Sequence, residues 1–127
     1  METIVMQTDL YIDGNWVPSQ SAQRFDVMNP ATEDVIASVA SADVFDADLA
    51  LNAASTAMQE WAARSPRDRS EVLRKAWELM TARLPEFARL ITLENGKANA
   101  DAMGEATYAA EFFRWFAEEA VRVDGLI

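Results

Sequence analysis

The last helical segment of the sequence constrains the fold more than any other feature. Over residues 101–123, apolar side chains recur every three or four positions, which predicts an α-helix. These side chains form two apolar stripes, and a third stripe is charged. One apolar stripe consists of Ala102, Ala106, Ala109, Phe113, Phe116 and Ala120, and the other of Tyr108, Phe112 and Trp115. The charged stripe consists of Glu111, Arg114, Glu118 and Arg122. Asn99 is a candidate cap and Gly125 a stop. Because such a helix needs cover on two sides, we expect the preceding helices to cover one stripe and structure outside this chain to cover the other.

The first part of the chain, residues about 10–40, has the pattern of two β-hairpins. Asp13-Gly14 lies between β-favouring residues, and this dipeptide favours a type I′ turn, in which both central residues need positive φ. Pro18 ends the second strand. A second strand pair has Phe25 and Val27 before a turn cluster at residues 29–32, and Val35, Ile36 and Val39 after it. A hairpin alone is marginal in water, so we expect these strands to pair with or pack on other structure.

Helices are predicted for residues about 43–124. Asp43 is a suitable N-cap for the first, and Asp46 lies in the first turn, where the helix dipole favours a negative charge. The apolar stripe of this helix is Ala50, Ala54, Ala57, Met58 and Trp61.

Two further helices follow before the last one. Ser65 caps the second helix, with Pro66 at its first position and Asp68 approximating a capping box. Its apolar stripe is Val72, Ala76, Leu79 and Met80. Pro85 separates it from a short third helix, which ends where Gly96 accepts the left-handed conformation.

A net charge of −10 narrows the choice of partners. Nucleic acids and anionic membranes reward a surplus of Lys and Arg, so we expect neither as a partner. The sequence has no apolar stretch long enough to span a bilayer, and its start has no basic segment followed by an apolar run. We therefore expect no signal peptide and a cytoplasmic location. Half of the 127 residues are apolar, which allows one domain of ordinary size.

Two absent residue types limit the chemistry of this sequence. It contains no Cys and no His, and so has neither a thiolate nucleophile nor an imidazole base. Its four glycines stand at positions 14, 96, 104 and 125, too far apart for a phosphate-binding loop of the G-x-G-x-x-G type. Carboxylates remain, but without paired acids at a defined spacing no mechanism can be written for them. An enzyme that acts through carboxylates alone is the least favoured hypothesis.

Several segments, taken in order, resemble the start of an aldehyde dehydrogenase. They are residues 10–17 (LYIDGNWV), 28–36 (MNPATEDVI), 61–69 (WAARSPRDR), 93–97 (LENGK) and 104–125 (GEATYAAEFFRWFAEEAVRVDG). Each segment is a weak signal alone, but their order is specific and they cover nearly the whole chain from Leu10. Within the superfamily, the last segment most resembles the helix of succinate-semialdehyde dehydrogenases that reads much like WFAEEA.

The resemblance implies a three-layer α/β fold for the complete enzyme. It also implies that residues 1–127 form the N-terminal part of the cofactor-binding domain of that enzyme, and the sequence pattern predicts that this part is mainly α-helical with an N-terminal pair of β-hairpins. The implied reaction is NAD- or NADP-dependent oxidation of succinate semialdehyde, or a similar aldehyde, to the acid. In that family a cysteine thiolate attacks the carbonyl and a glutamate activates water, and both lie downstream of this segment, as does the turn that holds the cofactor.

Expectations about activity and partners follow from the same resemblance. We expect this segment alone to be inactive and to bind no cofactor. Its expected partners are the missing downstream part of the enzyme and further copies of the chain in a homo-oligomer, because an uncovered face of Tyr108, Phe112 and Trp115 favours association.

Two sites are implied by the resemblance. In the family, the helix that matches residues 104–125 lines the mouth of the substrate tunnel, which points to Glu105, Tyr108 and Phe112. The alternative for the two aromatic residues is a place in the core. Many members also bind Na⁺ or K⁺ through backbone carbonyls near Val27 and Met28 and through the acid before N-G-K, here Glu94; oxygen ligands suit such hard cations. The alternative is that Glu94 is a solvated residue on the last turn of its helix.

A second functional hypothesis accounts for the missing chemistry equally well. The chain can be a non-enzymatic helical interaction module, derived from such an enzyme, that binds a partner through the second apolar stripe. A module of this kind binds one partner in a defined ratio, whereas an enzyme segment exposes the stripe or self-associates loosely.

Overall fold

The computed structural model describes residues 6–122. Within this range the chain forms the strands β1 (Leu10–Ile12), β2 (Asn15–Val17), β3 (Arg24–Met28) and β4 (Val35–Ala40), followed by the helices α1 (Val44–Ala63), α2 (Pro66–Ala82), α3 (Leu84–Asn95) and α4 (Asn99–Ala120). The prediction of a mainly helical segment with two N-terminal hairpins is confirmed. The chain divides into two compact units between Glu60 and Trp61.

The first hairpin of the first unit forms at the predicted turn. β1 and β2 pair antiparallel, with Leu10 opposite Val17. Asp13 and Gly14 both adopt positive φ, of 50° and 77°, as a type I′ turn requires. The rings of Tyr11 and Trp16 contact each other across the strands, with their centroids 5.0 Å apart. Local turn chemistry therefore sets the register of this hairpin.

The second hairpin closes around the predicted turn cluster. β3 and β4 pair antiparallel, with an irregularity in the register between Val27 and Met28. In the turn, the side chain of Asn29 accepts a hydrogen bond from the backbone N–H of Ala31 at 2.9 Å. Glu33 adopts a φ of 62°, which completes the reversal. Each hairpin is a separate two-stranded sheet.

Arg24 ties the second hairpin to the segment that precedes β1. Its guanidinium donates hydrogen bonds to Asp9 Oδ1 at 2.8 Å, to Thr8 Oγ1 at 2.8 Å and to the carbonyl of Ser38 at 2.7 Å. The backbone adds a bond from Ala40 N–H to the Thr8 carbonyl. These bonds connect the second hairpin to other structure, which an isolated hairpin lacks. The sequence pattern gave no indication of this use of Arg24.

Helix α1 begins as predicted, but its apolar stripe is not buried. Asp43 Oδ1 accepts hydrogen bonds from the backbone N–H groups of Phe45 and Asp46, at 2.8 and 3.1 Å, and is therefore the N-cap. The stripe proposed for this helix, Ala50, Ala54, Ala57, Met58 and Trp61, is exposed. The buried residue of α1 is instead Asp46.

The second unit is built around helix α4, which packs against both α2 and α3. Up to residue 122, the buried apolar residues of this unit are all alanines: Ala88, Ala102, Ala106, Ala110 and Ala117. Small side chains allow helix backbones to approach closely. The hydroxyl of Ser70 on α2 donates a hydrogen bond to the carbonyl of Ala117 on α4 at 2.7 Å and fixes that approach. Thus α4 uses its alanines, not its aromatic residues, to form the core.

The ends of the three helices in this unit follow their sequence signals in part. Ser65 caps α2 by accepting a hydrogen bond from the backbone N–H of Asp68, and Gly96 ends α3 with a φ of 73°, both as predicted. The suggested cap of α4 is wrong, because Asn99 is already helical and Ala98 occupies the cap position without a side-chain bond. The suggested end near Val123 and the stop at Gly125 lie outside the described residues.

Two of the stripes proposed for this unit need correction. On α2, Val72 and Leu79 are exposed, and the less exposed side runs through Ser70, Leu73, Ala76, Trp77 and Met80. On α4, Ala109, Phe113 and Phe116 lie outside the buried row. The reason is that α2 and α3 pack against the side of α4 that carries the smallest side chains. The spacing of apolar residues does not distinguish a side made of alanines from a side made of larger residues. Between residues 6 and 122, no helix is both long and apolar enough to cross a membrane.

Candidate substrate-facing surface of helix α4

Four aromatic side chains form a continuous exposed surface on helix α4. Tyr108, Phe112, Trp115 and Phe116 are 66%, 48%, 63% and 55% exposed. Their positions follow the i, i+4, i+7, i+8 spacing of one helical face. We call this surface the aromatic face. Large apolar groups that stand together in contact with solvent mark a surface that another structure covers.

Tyr108 and Phe112 form the best-defined part of the aromatic face. Their rings contact each other edge to face, with centroids 4.9 Å apart and planes at 78°. This arrangement is the favourable one for aromatic pairs and holds both rings in place on the helix. Tyr108 and Phe112 are both exposed in this chain, which differs from the alternative prediction that they are core residues. The tunnel assignment itself stays a prediction.

Glu105, the third residue assigned to the tunnel mouth, lies one turn before Tyr108 on the same helix. Its carboxylate forms an ion pair with the ammonium group of Lys97. Lys97 comes directly after Gly96, whose left-handed conformation ends α3 and turns the chain back toward α4. The side chains of Lys97 and Glu105 are 37% and 49% exposed. The three predicted tunnel residues therefore follow one another along α4, and Lys97 closes one end of the row.

Sequence reasoning assigned no function to Lys97. A sequence signal for the ion pair of Lys97 with Glu105 is a basic residue directly after a helix-ending glycine, together with an acidic residue in the second turn of the next helix. Because the reversal at Gly96 brings the chain back on itself, opposite charges eight residues apart can meet. That inference depends on the angle between two helices, which local sequence does not specify.

A groove lined by both charged and apolar side chains lies between α2 and α4. It has a volume of about 550 Å³, and its lining includes Arg67, Arg74, Arg114, Trp77 and Glu118. Arg114 pairs with Glu111 at 3.5 Å and with Glu118 at 3.6 Å, as the predicted charged stripe requires. Arg122 pairs with Glu119, not with Glu118. Arg74 also pairs with two glutamates, Glu71 and Glu78, so acidic side chains offset the charge of Arg74 and Arg114 in this groove.

The residues assigned to the cation site lie in different units. Val27 and Met28 are in the first unit, on β3 at the irregularity in its register. Glu94 is in the second unit, exposed on the last turn of α3. Over residues 6–122, no three acidic side chains are grouped so that they could hold a metal ion. The cation site stays a prediction.

Comparison with known proteins identifies the family. The model of the aldehyde dehydrogenase family matches residues 16–127. The chain belongs to the aldehyde dehydrogenase family. Glutarate-semialdehyde dehydrogenase from Pseudomonas putida is 43% identical over 115 residues, covering 91% of this chain and 24% of the relative. Succinate-semialdehyde dehydrogenase from Paenarthrobacter nicotinovorans is 53% identical over 88 residues, covering 69% and 20%.

Solved structures support the same fold for this aldehyde dehydrogenase segment. The crystal structure of PnpE in complex with nicotinamide adenine dinucleotide matches with a TM-score of 0.92 at 32% identity, over 95% of this chain and 25% of that one. The chain thus spans about a quarter of the length of the relatives it matches. The part it matches is their N-terminal segment.

Proposed function

We propose that the chain is the N-terminal part of an NAD(P)-dependent aldehyde dehydrogenase that oxidises succinate semialdehyde, or a similar aldehyde that carries a carboxylate, to the corresponding acid. The observation that carries the proposal is the exposed aromatic face of α4 in a segment whose relatives are about four times longer. The names of relatives support a dicarboxylic semialdehyde as the substrate class, since one is named for succinate semialdehyde and another for glutarate semialdehyde.

In this proposal, the segment contributes to substrate access and not to bond making. Tyr108 and Phe112 form one wall at the mouth of the substrate tunnel, with Glu105 beside them. Apolar walls of this kind favour the methylene chain of an aldehyde over water. The 127 residues contain no Cys and no His, so the nucleophile lies in the remaining part of the enzyme. The segment forms the N-terminal part of the cofactor-binding domain.

NAD or NADP supplies the hydride acceptor of the complete enzyme. The residues of this segment do not fit a pyrophosphate site, because the glycines at 14, 96, 104 and 125 are too widely spaced for a phosphate-binding loop. We therefore assign nucleotide binding to the remaining part of the enzyme. Val27, Met28 and Glu94 are the residues of this segment that we assign to a Na⁺ or K⁺ site in the complete enzyme.

The proposed partner of the aromatic face is the remaining part of the enzyme. In the complete enzyme that part covers the exposed rings, which the chain alone leaves in contact with solvent. A homo-oligomeric, cytoplasmic enzyme is the arrangement that we propose for the complete protein.

The exposed aromatic face also favours a second candidate, a non-enzymatic interaction module. Four adjacent rings in contact with solvent suit a groove on a separate protein as well as they suit a missing domain. The two candidates differ in one respect: a module needs no catalytic part to carry out its function, whereas an enzyme segment restores activity when one is supplied.

A hybrid enzyme provides the decisive experiment. The matching N-terminal quarter of the Pseudomonas putida glutarate-semialdehyde dehydrogenase is replaced by this chain, and reduction of NAD⁺ and NADP⁺ is followed with succinate and glutarate semialdehyde. We expect the hybrid to oxidise at least one of them. The relative without its N-terminal quarter is the control, and we expect it to be inactive. A hybrid that folds, as judged by circular dichroism and size-exclusion chromatography, but oxidises neither aldehyde contradicts the proposal.

The tunnel assignment is tested in the same hybrid by Tyr108→Ala. We expect KM for succinate semialdehyde to rise severalfold, because one wall of the tunnel mouth loses its ring. Tyr11→Ala is the matched control, since Tyr11 is also exposed but lies on the first hairpin. Equal KM values for the two variants would remove Tyr108 from the tunnel.

A further inference from the structure

The ion pair between Lys97 and Glu105 stands at one end of the row of predicted tunnel residues. Lys97 is held by a short connection, because Gly96 ends α3 and α4 begins at Asn99. Glu105 is in the second turn of α4, three residues before Tyr108. The pair therefore joins the α3–α4 connection to the start of the surface that continues through Tyr108 and Phe112.

A second acidic residue of α4 lies near Glu105 along the helix. Asp101 lies four residues before Glu105, and therefore on the same side of α4. Both acids precede the ring of Tyr108 along that side. An uncompensated carboxylate at this place repels any ligand that carries its own negative charge. Lys97 compensates the nearer of the two acids and holds its carboxylate in one position.

Succinate and glutarate semialdehyde share a feature that makes this charge matter. Each carries a carboxylate at the end opposite to its aldehyde, so the whole molecule is an anion at neutral pH. An anionic substrate that approaches Tyr108 also approaches Glu105. The ion pair therefore affects anionic aldehydes selectively, and a neutral aldehyde of the same length experiences little of it.

We propose that Lys97 is a positioning residue that acts through Glu105 to admit anionic aldehydes, a specificity function that rests on the proposed tunnel role of α4. By pairing with Glu105, Lys97 removes the repulsion that this carboxylate would exert on a substrate carboxylate. Lys97 need not touch the substrate to do so. The function is a preference for a substrate class and not a contribution to the chemical step.

The test uses the hybrid enzyme and two aldehydes of four carbons, anionic succinate semialdehyde and neutral butanal. In Lys97→Gln, we expect KM for succinate semialdehyde to rise about fivefold, the size of an exposed charge effect, while kcat stays within about twofold. KM for butanal changes little. Lys97→Arg retains the positive charge and restores the KM of the parent hybrid. Lys75→Gln is the matched control, because Lys75 also pairs with a glutamate, Glu78, but lies on α2.

The double variant Lys97→Gln with Glu105→Gln separates the indirect function from direct contact. If Lys97 acts through Glu105, removal of both charges returns KM for succinate semialdehyde to near the value of the parent hybrid. A KM that stays raised in the double variant, or that rises equally for butanal in Lys97→Gln, overturns the proposal while the proposed function stands. A parent hybrid that oxidises neither succinate nor glutarate semialdehyde contradicts the proposed function, and the proposal on Lys97 fails with it.

Discussion

Asp46 is the buried charged residue that organises the start of helix α1. It is 2% exposed, and its carboxylate accepts hydrogen bonds from the hydroxyl of Ser19 at 2.9 Å and from the backbone N–H groups of Gln20 at 3.1 Å and Asp43 at 3.0 Å. The N–H of Asp43 lowers the pKa of Asp46 most; burial opposes this effect, and Gln20 and Ser19 add to it. The loop after β2 is thus attached to α1 through one ionised side chain.

The depressed pKa predicts how stability depends on pH. A carboxyl group that is more acidic in the folded than in the unfolded state stabilises the fold fully above its unfolded pKa, about 3.9, and this stabilisation is lost as the pH falls through the lower folded value. In Asp46→Asn, we expect protection of the Asp43 amide from hydrogen exchange to fall about tenfold at pH 7, because the amide nitrogen that replaces Oδ2 cannot accept the bonds that Oδ2 accepts from the Asp43 N–H and the Ser19 hydroxyl. The difference from the unsubstituted chain should narrow below about pH 4.

Exchange measured by NMR at pH 7 and at pH 3 checks this prediction. Asp48→Asn is the matched control, since Asp48 is exposed on the same helix and should leave protection unchanged at both values. A difference that persists undiminished at pH 3 would show that the Asp46 charge is not responsible.

Gly96 and Gly104 respond in opposite directions to the same substitution. Gly96 has a φ of 73°, which disfavours any residue with a Cβ, so Gly96→Ala should lower the free energy of unfolding by about 1 kcal/mol. Gly104 lies within α4, and a Cβ added there meets no atom within 4 Å. Gly104→Ala should therefore raise the free energy of unfolding by about 0.5–1 kcal/mol. Urea unfolding followed by circular dichroism measures both, and a shared sign contradicts the prediction.

At the scale of the element, helix α4 has two surfaces with different uses. The alanine row packs against α2 and α3, and the aromatic face is left in contact with solvent. Small residues in the row permit the close approach at which Ser70 reaches the carbonyl of Ala117. A larger side chain in the row has no space unless the helices separate.

This packing predicts that the effect of a larger side chain on the free energy of unfolding depends on its position along α4. Ala106 is buried, so Ala106→Leu should lower the free energy of unfolding by about 1–3 kcal/mol through overpacking. Ala109 is exposed on the same helix, and Ala109→Leu should change it by less than about 0.5 kcal/mol. Thermal and urea unfolding of the two variants provide the comparison. Equal effects would mean that the alanine row does not form the interface.

At the scale of the whole molecule, the second unit leaves the aromatic face of α4 outside and buries alanines inside. A core of alanines buries little apolar area per residue, while the exposed rings of α4 leave a large apolar surface in water. The 127-residue chain should therefore associate with copies of itself when no other partner is available, despite its negative charge.

Self-association should depend on the aromatic face. We expect light scattering to give an average mass that rises with protein concentration, and we expect the double variant Phe112→Gln, Trp115→Gln to reduce that rise. Val72→Gln is the control, because Val72 is an exposed apolar residue on α2 outside the face. A mass that stays at 14.1 kDa at every concentration would contradict the prediction.

Much of the fold followed from local signals. Asp13-Gly14, the turn cluster after Met28, and the caps at Asp43, Ser65 and Gly96 each act over a few residues, which is why the sequence predicted them. The cap of α4 was predicted wrongly, since Ala98, which occupies the cap position, gives no capping signal. The family followed from the order of several short segments.

Local sequence signals did not predict which face of a helix is buried or which distant charged residues pair. Whether a helix buries alanine or phenylalanine depends on how near its neighbours come, and this distance is a property of the assembled helices. The bonds of Asp46 to Ser19, of Arg24 to Thr8 and of Lys97 to Glu105 join residues that only the folded chain brings together. The sequence by itself determined the elements, their order and the family, because short-range turn and cap chemistry encodes them. Only the tertiary structure decided which side of α4 is core and which side is left for a partner, because burial depends on contacts between elements and not on spacing within one.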